Sequence, residues 1–413
     1  MWPDAFRLGG TMSGSFVRRS AGRVLDALPE GIRLRIAGSR YGFDAADVPA
    51  PVVAPDGDVR LYIAPVNFAG QAFRWARAAE LLPGVGAVNM QYRNPTGDFG
   101  FPADYALPTA VFLKSRRWQR AQFDAVVNGF SHVLVEAVRP IFGELFDGDV
   151  RQEVAAMRDA GLQVGLIAHG TDVRVPSVHR SDNPYSPFHG DEWDQTPLLE
   201  QSAQVRSALA SSLALPTFYS TATLARHLPP ASWLPVVVDP DRWASTEPPL
   251  TRAKPVVMHV PSSGIVKGTA AVREAAARLE AEGLIEYREA HAVPADEMPD
   301  LYRSADIVID ALRMGNYGVA AVEAMAAGRV VVTYLTDLAV SEAEEAGAVP
   351  PCVFANPDTL EDAVREICAD PESFRTLAAR GPAFVRRVHD GRRSALALAG
   401  FLGVTAPWSE EVL

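Results

Sequence analysis

Two residue types are nearly missing from this chain. Cysteine occurs only at Cys352 and Cys368, too few for a disulfide framework or a cysteine zinc site, so a reduced compartment is expected. Lysine occurs only at Lys114, Lys254 and Lys267, against 36 arginines. Each lysine reads either as chance in an arginine-rich composition or as a choice with a reason. No run of eighteen apolar residues is present, which excludes a membrane-spanning helix. The start, MWPDAFRLGGTMSGSF, lacks the basic end and apolar core of a secretory signal. There is no basic excess either: the net charge is −11 and the isoelectric point about 5.3. Nucleic acid is therefore not an expected partner, although a local basic patch stays open. Short-period repeats and low-complexity tracts are absent. These absences predict a cytoplasmic protein and leave open a peripheral membrane contact and the oligomeric state.

What is present is an ordinary globular mixture, 48% hydrophobic and 22% charged over 413 residues, enough for two or three domains with separate cores. Residues 1–57 form an extension of uncertain structure, with a candidate helix over 15–28, a candidate strand over 33–37 and a linker-like PAPVVAPDGD. From Arg60 a rhythm begins: the apolar run RLYIAP, a glycine turn NFAGQ, and AFRWARAAELL with apolar residues along one helical face. FDAVVNGF (123–130) reads as a strand, 149–161 as a helix, and LQVGLIAHG (162–170) as a strand. SWLPVVVDPDRW (232–243) reads as a hinge. The rhythm then restarts with KPVVMHVPSS, a helix N-capped by Thr269 and stopped at Gly283, and further strands at IEYREA, DIVIDAL and RVVVTYL. The pattern predicts an α/β protein of two doubly wound domains facing a cleft, over 58–238 and 239–390. A tail over 391–413 is expected to be helical and to cross back to the first domain.

Four clusters carry chemistry. In GNYGVAAVEAMAAG (315–328), Gly315 and Gly318 give a loop freedom before a helix whose amide dipoles point at it. Glu323 lies among Val322, Ala324 and Met325; it is either a helix-surface charge or a carboxylate placed for a ligand. In HVPSSGIVKGT (259–269), Lys267 with the amides around Ser263 and Gly268 would bind an anion, the alternative being an exposed lysine at a helix start. In AHGTDVR (168–174), His169 is either structural or functional, and Asp172 and Arg174 either hold a substrate or brace the loop. In PVNFAGQ (65–71), Gly70 marks either a tight turn or a close backbone approach to a ligand.

The 315–328 segment resembles the signature of GT-B glycosyltransferases, specifically the retaining enzymes of family 4. Tyr317, Gly318, Glu323, Ala324, Met325, Ala326 and Gly328 match it. The resemblance spans roughly 60–390 and implies two Rossmann-like domains, a nucleotide diphosphate sugar donor of UDP or GDP type, no other cofactor, and no catalytic metal. It implies that Glu323 binds the ribose hydroxyls and Lys267 the diphosphate, with His169 near the reacting carbon. It also implies that Val293 seats the base and that Gly70 tops the acceptor side. The signature's first glutamate, which holds the transferred sugar, falls on Gly315, and the arginine that usually precedes the lysine is replaced by Pro261 or Ser262. Asp310 or Asn316 is expected to supply the missing sugar contact, with the amides of Gly315, Asn316, Tyr317 and Gly318 at the diphosphate. Two Asp-x-Asp triplets, 147–149 and 239–241, sit in turn-like contexts and are not read as metal sites.

The reading is a retaining glycosyltransferase acting on an unidentified glycan, lipid-linked or small-molecule acceptor. The alternatives are a catalytically inactive GT-B-like binding subunit and, more weakly, an enzyme that glycosylates a modified DNA base.

Overall fold

The computed structural model describes residues 42–93 and 99–409. The expected helix at 15–28 and strand at 33–37 lie outside the described residues. Twelve strands form two parallel sheets. The first contains β1 (Val59–Ala64), β2 (Val85–Arg93), β3 (Tyr105–Pro108), β4 (His132–Glu136), β5 (Gln163–Ala168), β6 (Thr217–Tyr219) and β7 (Ser232–Trp233), in the order 3-2-1-4-5-6-7. The second contains β8 (Val256–His259), β9 (Glu286–Glu289), β10 (Ile307–Ile309), β11 (Val330–Thr333) and β12 (Val353–Phe354), in the order 12-11-10-8-9. The short runs VVMH, IVI and VVVT are buried end to end, as strands covered by helices on both faces require.

The expected strand over 123–130 is instead the end of a helix, Arg116–Gly129. Trp118, Gln119, Gln122 and Val126 are its buried residues and lie along one helical face, so the 3.6-residue period runs through a segment whose apolar residues alone resembled a strand. The strand is the next segment, HVLVE. The linker-like stretch before β1 is tied down: Phe43 and Val52 join the first core. Val52 donates its amide to Gln122 Oε1 (3.0 Å), and Gln122 Nε2 donates to the hydroxyl of Tyr62 (2.7 Å).

The passage between the sheets is held from both sides. Val237 exchanges two hydrogen bonds with the Gln71 side chain (2.7 and 3.2 Å), and Trp75 Nε1 donates to the Pro235 carbonyl (2.9 Å). On the other side, Val238 donates to the His389 carbonyl (2.8 Å), and the His389 ring bonds the Val236 carbonyl (2.8 Å). The last helix, Arg392–Leu402, packs Ala395, Leu398, Ala399 and Leu402 against Ala72, Trp75, Ala76 and Ala79 of the helix Gln71–Ala79. The C-terminal end thus completes the first domain's core. Leu398 is fully buried there. Leu398→Ala is expected to cost about 2–5 kcal/mol of stability in denaturant unfolding.

Candidate functional site in the cleft between the sheets

Loops at the carboxyl ends of β8 and β10 build one wall. The strand ending at His259 leads to a short helix, Gly264–Lys267, then to Gly268 and the helix Thr269–Ala281. Lys267 therefore closes a short helix rather than opening one. Gly268, not Thr269, is the N-cap of the long helix. Thr269 instead bonds the buried ring of His259 (2.9 Å), whose other nitrogen bonds the Ile309 carbonyl (3.0 Å), so β8, β10 and the helix start move together. The Lys267 ammonium pairs with Asp310, which is only 2% exposed, and Asp310 also accepts the amide of Gly318 (3.4 Å). Asp310 is thus committed to the lysine and to the start of the helix Val319–Ala326, rather than standing as a free sugar contact. Ser263 precedes the short helix without a side-chain capping bond.

Gly315 is where the resemblance places a sugar-binding glutamate, and its surroundings leave no room for a side chain. Its φ is +70°, and a Cβ there would lie 2.6 Å from Thr336 Cγ2 and 3.1 Å from Asn183 Nδ2. The loop carbonyls on either side are held from the first domain. Asn183 Nδ2 donates to the Arg313 carbonyl (2.8 Å), and the His179 ring bonds the Met314 carbonyl (3.1 Å). Arg313 reaches back to the carbonyls of Tyr185 and Ser186 (both 3.2 Å) and pairs with Glu192. Asn316 is drawn the same way: its Oδ1 accepts from Arg174 (3.5 Å) and its Nδ2 donates to the Tyr317 carbonyl (3.2 Å). The Tyr317 ring turns inward, its hydroxyl bonded to the His389 ring (3.2 Å).

Glu323 faces the other way. Its neighbours Ala321, Val322, Ala324, Met325 and Ala326 are buried in the second core, which leaves the glutamate half-buried in a pocket of about 370 Å³ shared with the first domain. Gly70, Arg74, Phe101, Arg242, Trp243 and Ala295 line the same pocket. Two sites named from sequence, Gly70 and Glu323, are therefore brought together, and Val293 precedes Ala295 by two residues. Gly70 has φ +73°, and a Cβ there would meet Phe101 at 3.2 Å. Among the described residues, no hydrogen bond reaches the carboxylate of Glu323. Burial pushes it up to about 8, against the opposing pull of Arg74 and Arg242.

The opposite wall carries His169 at the end of β5. Its Nε2 shares a 3.0 Å hydrogen bond with Glu136, and its ring lies against Phe68 and Trp75 (centroids 5.1 and 5.3 Å). Glu136 is fully buried, which raises its carboxyl pKa against the pull of His169, and it also accepts the amide of Val66 (3.2 Å). Sequence reasoning passed over Glu136, although a carboxylate ending an otherwise apolar strand marked it. Arg74 and Arg242 were missed too, with no spacing signal to find them. Of the two readings for Asp172 and Arg174, the bracing one describes their bonds. Asp172 accepts the amides of His169 (2.9 Å) and Gly170, and Arg174 bonds Thr223 Oγ1 (2.9 Å) in addition to Asn316. The Asp-x-Asp triplets supply helix caps, Asp149 to the amide of Arg151 (2.8 Å) and Asp239 to that of Asp241 (3.1 Å). No group of three potential metal ligands occurs among the described residues.

Residues 250–370 match the family model described as Glycosyl transferases group 1. Sucrose-phosphate synthase from Thermosynechococcus elongatus resembles the chain with a TM-score of 0.54 and 14% identity, over 82% of this chain and 97% of that one. Anabaena HepE, in a complex with UDP and glucose, gives a TM-score of 0.52 and 13% identity, over 83% of this chain and 98% of that one. At such identities these likenesses speak to fold, the two-domain GT-B arrangement. No curated protein matches the sequence.

Two outcomes follow from the charges. Lys267→Ala strands a buried carboxylate and is expected to cost about 3 kcal/mol in denaturant unfolding. Adding Asp310→Asn to Lys267→Met should recover most of that loss. For Glu323 the folded protein favours the protonated form. Its contribution to stability is complete below about pH 4.5 and is lost as pH rises through about 8. Glu323→Gln keeps the neutral form, so its stability relative to the parent should rise between pH 5 and pH 9, measured by urea unfolding at each pH.

Proposed function

We propose that this chain, a group 1 glycosyltransferase of GT-B fold, is a retaining enzyme that moves a sugar from a nucleotide diphosphate sugar to an acceptor held by its first domain. The observation that carries the reading is the half-buried carboxylate of Glu323, unbonded in a pocket both domains line, near enough to Lys267 and Asp310 to feel their charges. Such a carboxylate suits the paired hydroxyls of a ribose, which replace the hydrogen bonds it lacks. With the ribose there, the diphosphate extends towards Lys267 and the amides around Gly318. These oppose the charge that grows on the leaving phosphate as the sugar–oxygen bond breaks. Anabaena HepE, with its UDP, is in keeping with a nucleotide donor.

On the opposite wall, His169 is held by Glu136 and by two aromatic rings, so its imidazole enters the cleft in a fixed orientation. In the retaining transfer, the acceptor hydroxyl attacks the anomeric carbon from the face the diphosphate leaves. The new glycosidic bond forms as the old one breaks, and the hydroxyl proton passes to the departing phosphate oxygen. His169 orients the sugar at that carbon. Nothing in this step calls for a protein nucleophile or a metal.

The test is turnover of UDP- and GDP-sugars in the absence of acceptor, read as released nucleotide, with the anomeric configuration of the product followed by NMR. Release of nucleotide with an inverted product, or no binding of either nucleotide, would overturn the reading. His169→Ala is expected to lower turnover at least tenfold while nucleotide affinity changes less than threefold, as measured by steady-state kinetics and calorimetric titration.

A further inference from the structure

Beside His169 lies a pair of arginines that the donor site does not use. Arg139 follows β4, and its guanidinium lies over the ring of Phe68 (5.8 Å), the same ring that meets His169 edge-on. Its Nη1 donates to the hydroxyl of Tyr92 (3.0 Å), while its Nε is buried with no hydrogen-bond partner. Arg206 comes from the helix Thr196–Leu213, close enough to Arg139, Asp172 and Tyr92 to feel their charges. Among the described residues, neither arginine forms an ion pair with a carboxylate. The nearest acid, Asp172, is taken up by the amides of His169 and Gly170. Burial and the charge of Arg139 both weaken the hold of Arg206 on its proton. Two like charges brought together, half-buried and without an acid, are costly when the site is empty.

The backbone that delivers Arg139 is itself unusual. Ala137 and Val138, both buried, have φ values of +56° and +49°, a left-handed conformation that a β-branched residue rarely adopts. Strain of this kind gathers at sites where a side chain must be aimed. Here it falls between Glu136, which holds His169, and Arg139.

We propose that Arg139 and Arg206 form an anion site for the acceptor, and that the acceptor carries a phosphate monoester seated next to the hydroxyl that attacks the sugar. Two guanidiniums balance a dianion, and their planar donor forks suit phosphate oxygens. The inference rests on the assignment of the first domain as the acceptor side.

The test uses the full chain saturated with UDP or GDP, so that the donor's own phosphate subsites are filled. Inorganic phosphate and glucose 6-phosphate are then titrated by calorimetry. Both should bind, and Arg206→Gln and Arg139→Gln should each weaken them at least tenfold while nucleotide affinity stays within threefold. Co-sedimentation with phosphatidic acid vesicles separates a lipid source from a soluble one. Binding that either arginine variant abolishes supports the phosphate site in both cases. Phosphate affinity unchanged in both variants, or phosphate displaced by the nucleotide, overturns the proposal while leaving the donor reading intact. Failure of nucleotide binding in the parent protein would instead strike the donor reading.

Discussion

A carboxylate that water barely reaches cannot stand alone, and much of the second domain's ligand wall follows from how Asp310 is satisfied. It ends β10, deep between two strands, where an unpaired charge would be costly. Lys267 and the amide of Gly318 answer it. That arrangement fixes three things together: the end of the short helix that carries the lysine, the loop from 310 to 318, and the first turn of the helix that carries Glu323. The lysine's charge is held in place before any ligand arrives. A diphosphate would then meet a preorganised group rather than a flexible chain, which is the condition under which electrostatic stabilisation is most effective.

The second constraint is the grip of the first domain on the 313–316 loop. It works mainly through backbone carbonyls, those of Arg313 and Met314 from one side and those of Tyr185 and Ser186 from the other. His179 suits this role because burial and the nearby Arg174 lower its pKa to about 3, so it stays neutral at ordinary pH. The grip passes through Gly315, whose left-handed backbone lies against Asn183 and Thr336. A glutamate at 315 would have to displace that junction. The departure from the family signature is thus tied to how these two domains meet. Restoring the glutamate alone would disturb the interface before it could hold a sugar.

Periodicity made the strands and helices of the second domain legible, because VVMH, IVI and VVVT are unbroken apolar runs between glycine-marked helices. It failed at 123–130, where the face of a helix is completed by Gln119 and Gln122, polar residues buried through hydrogen bonds rather than by apolar character. Glu323 and Lys267 were legible as residues out of keeping with their surroundings. Their partners were not. Asp310 was noticed but assigned to a sugar, because a sequence does not say which of two nearby charges will claim a carboxylate. Arg74, Arg242 and Glu136 reach the site through tertiary placement, from a first-domain helix, from the passage between the domains and from a strand end, and no local spacing links them.

The polar groups left without hydrogen bonds are not scattered. Glu323 sits with Arg74 and Arg242 in one pocket, and Arg139 brings a buried, unbonded Nε to the neighbourhood of His169. Elsewhere buried charges are answered: Glu153 takes the amides of Ile141 and Phe142, and Asp306 takes those of Leu250 and Val256 together with Arg252. A fold that satisfies its structural carboxylates so fully could have done the same in the cleft. Burial there keeps Glu323 protonated to about pH 8, so a ligand that offers hydrogen-bond donors would favour its ionised form and release a proton on binding. The cleft is therefore the part of the molecule whose polar groups gain most from a bound ligand, and the stability it forgoes when empty is returned as affinity when filled.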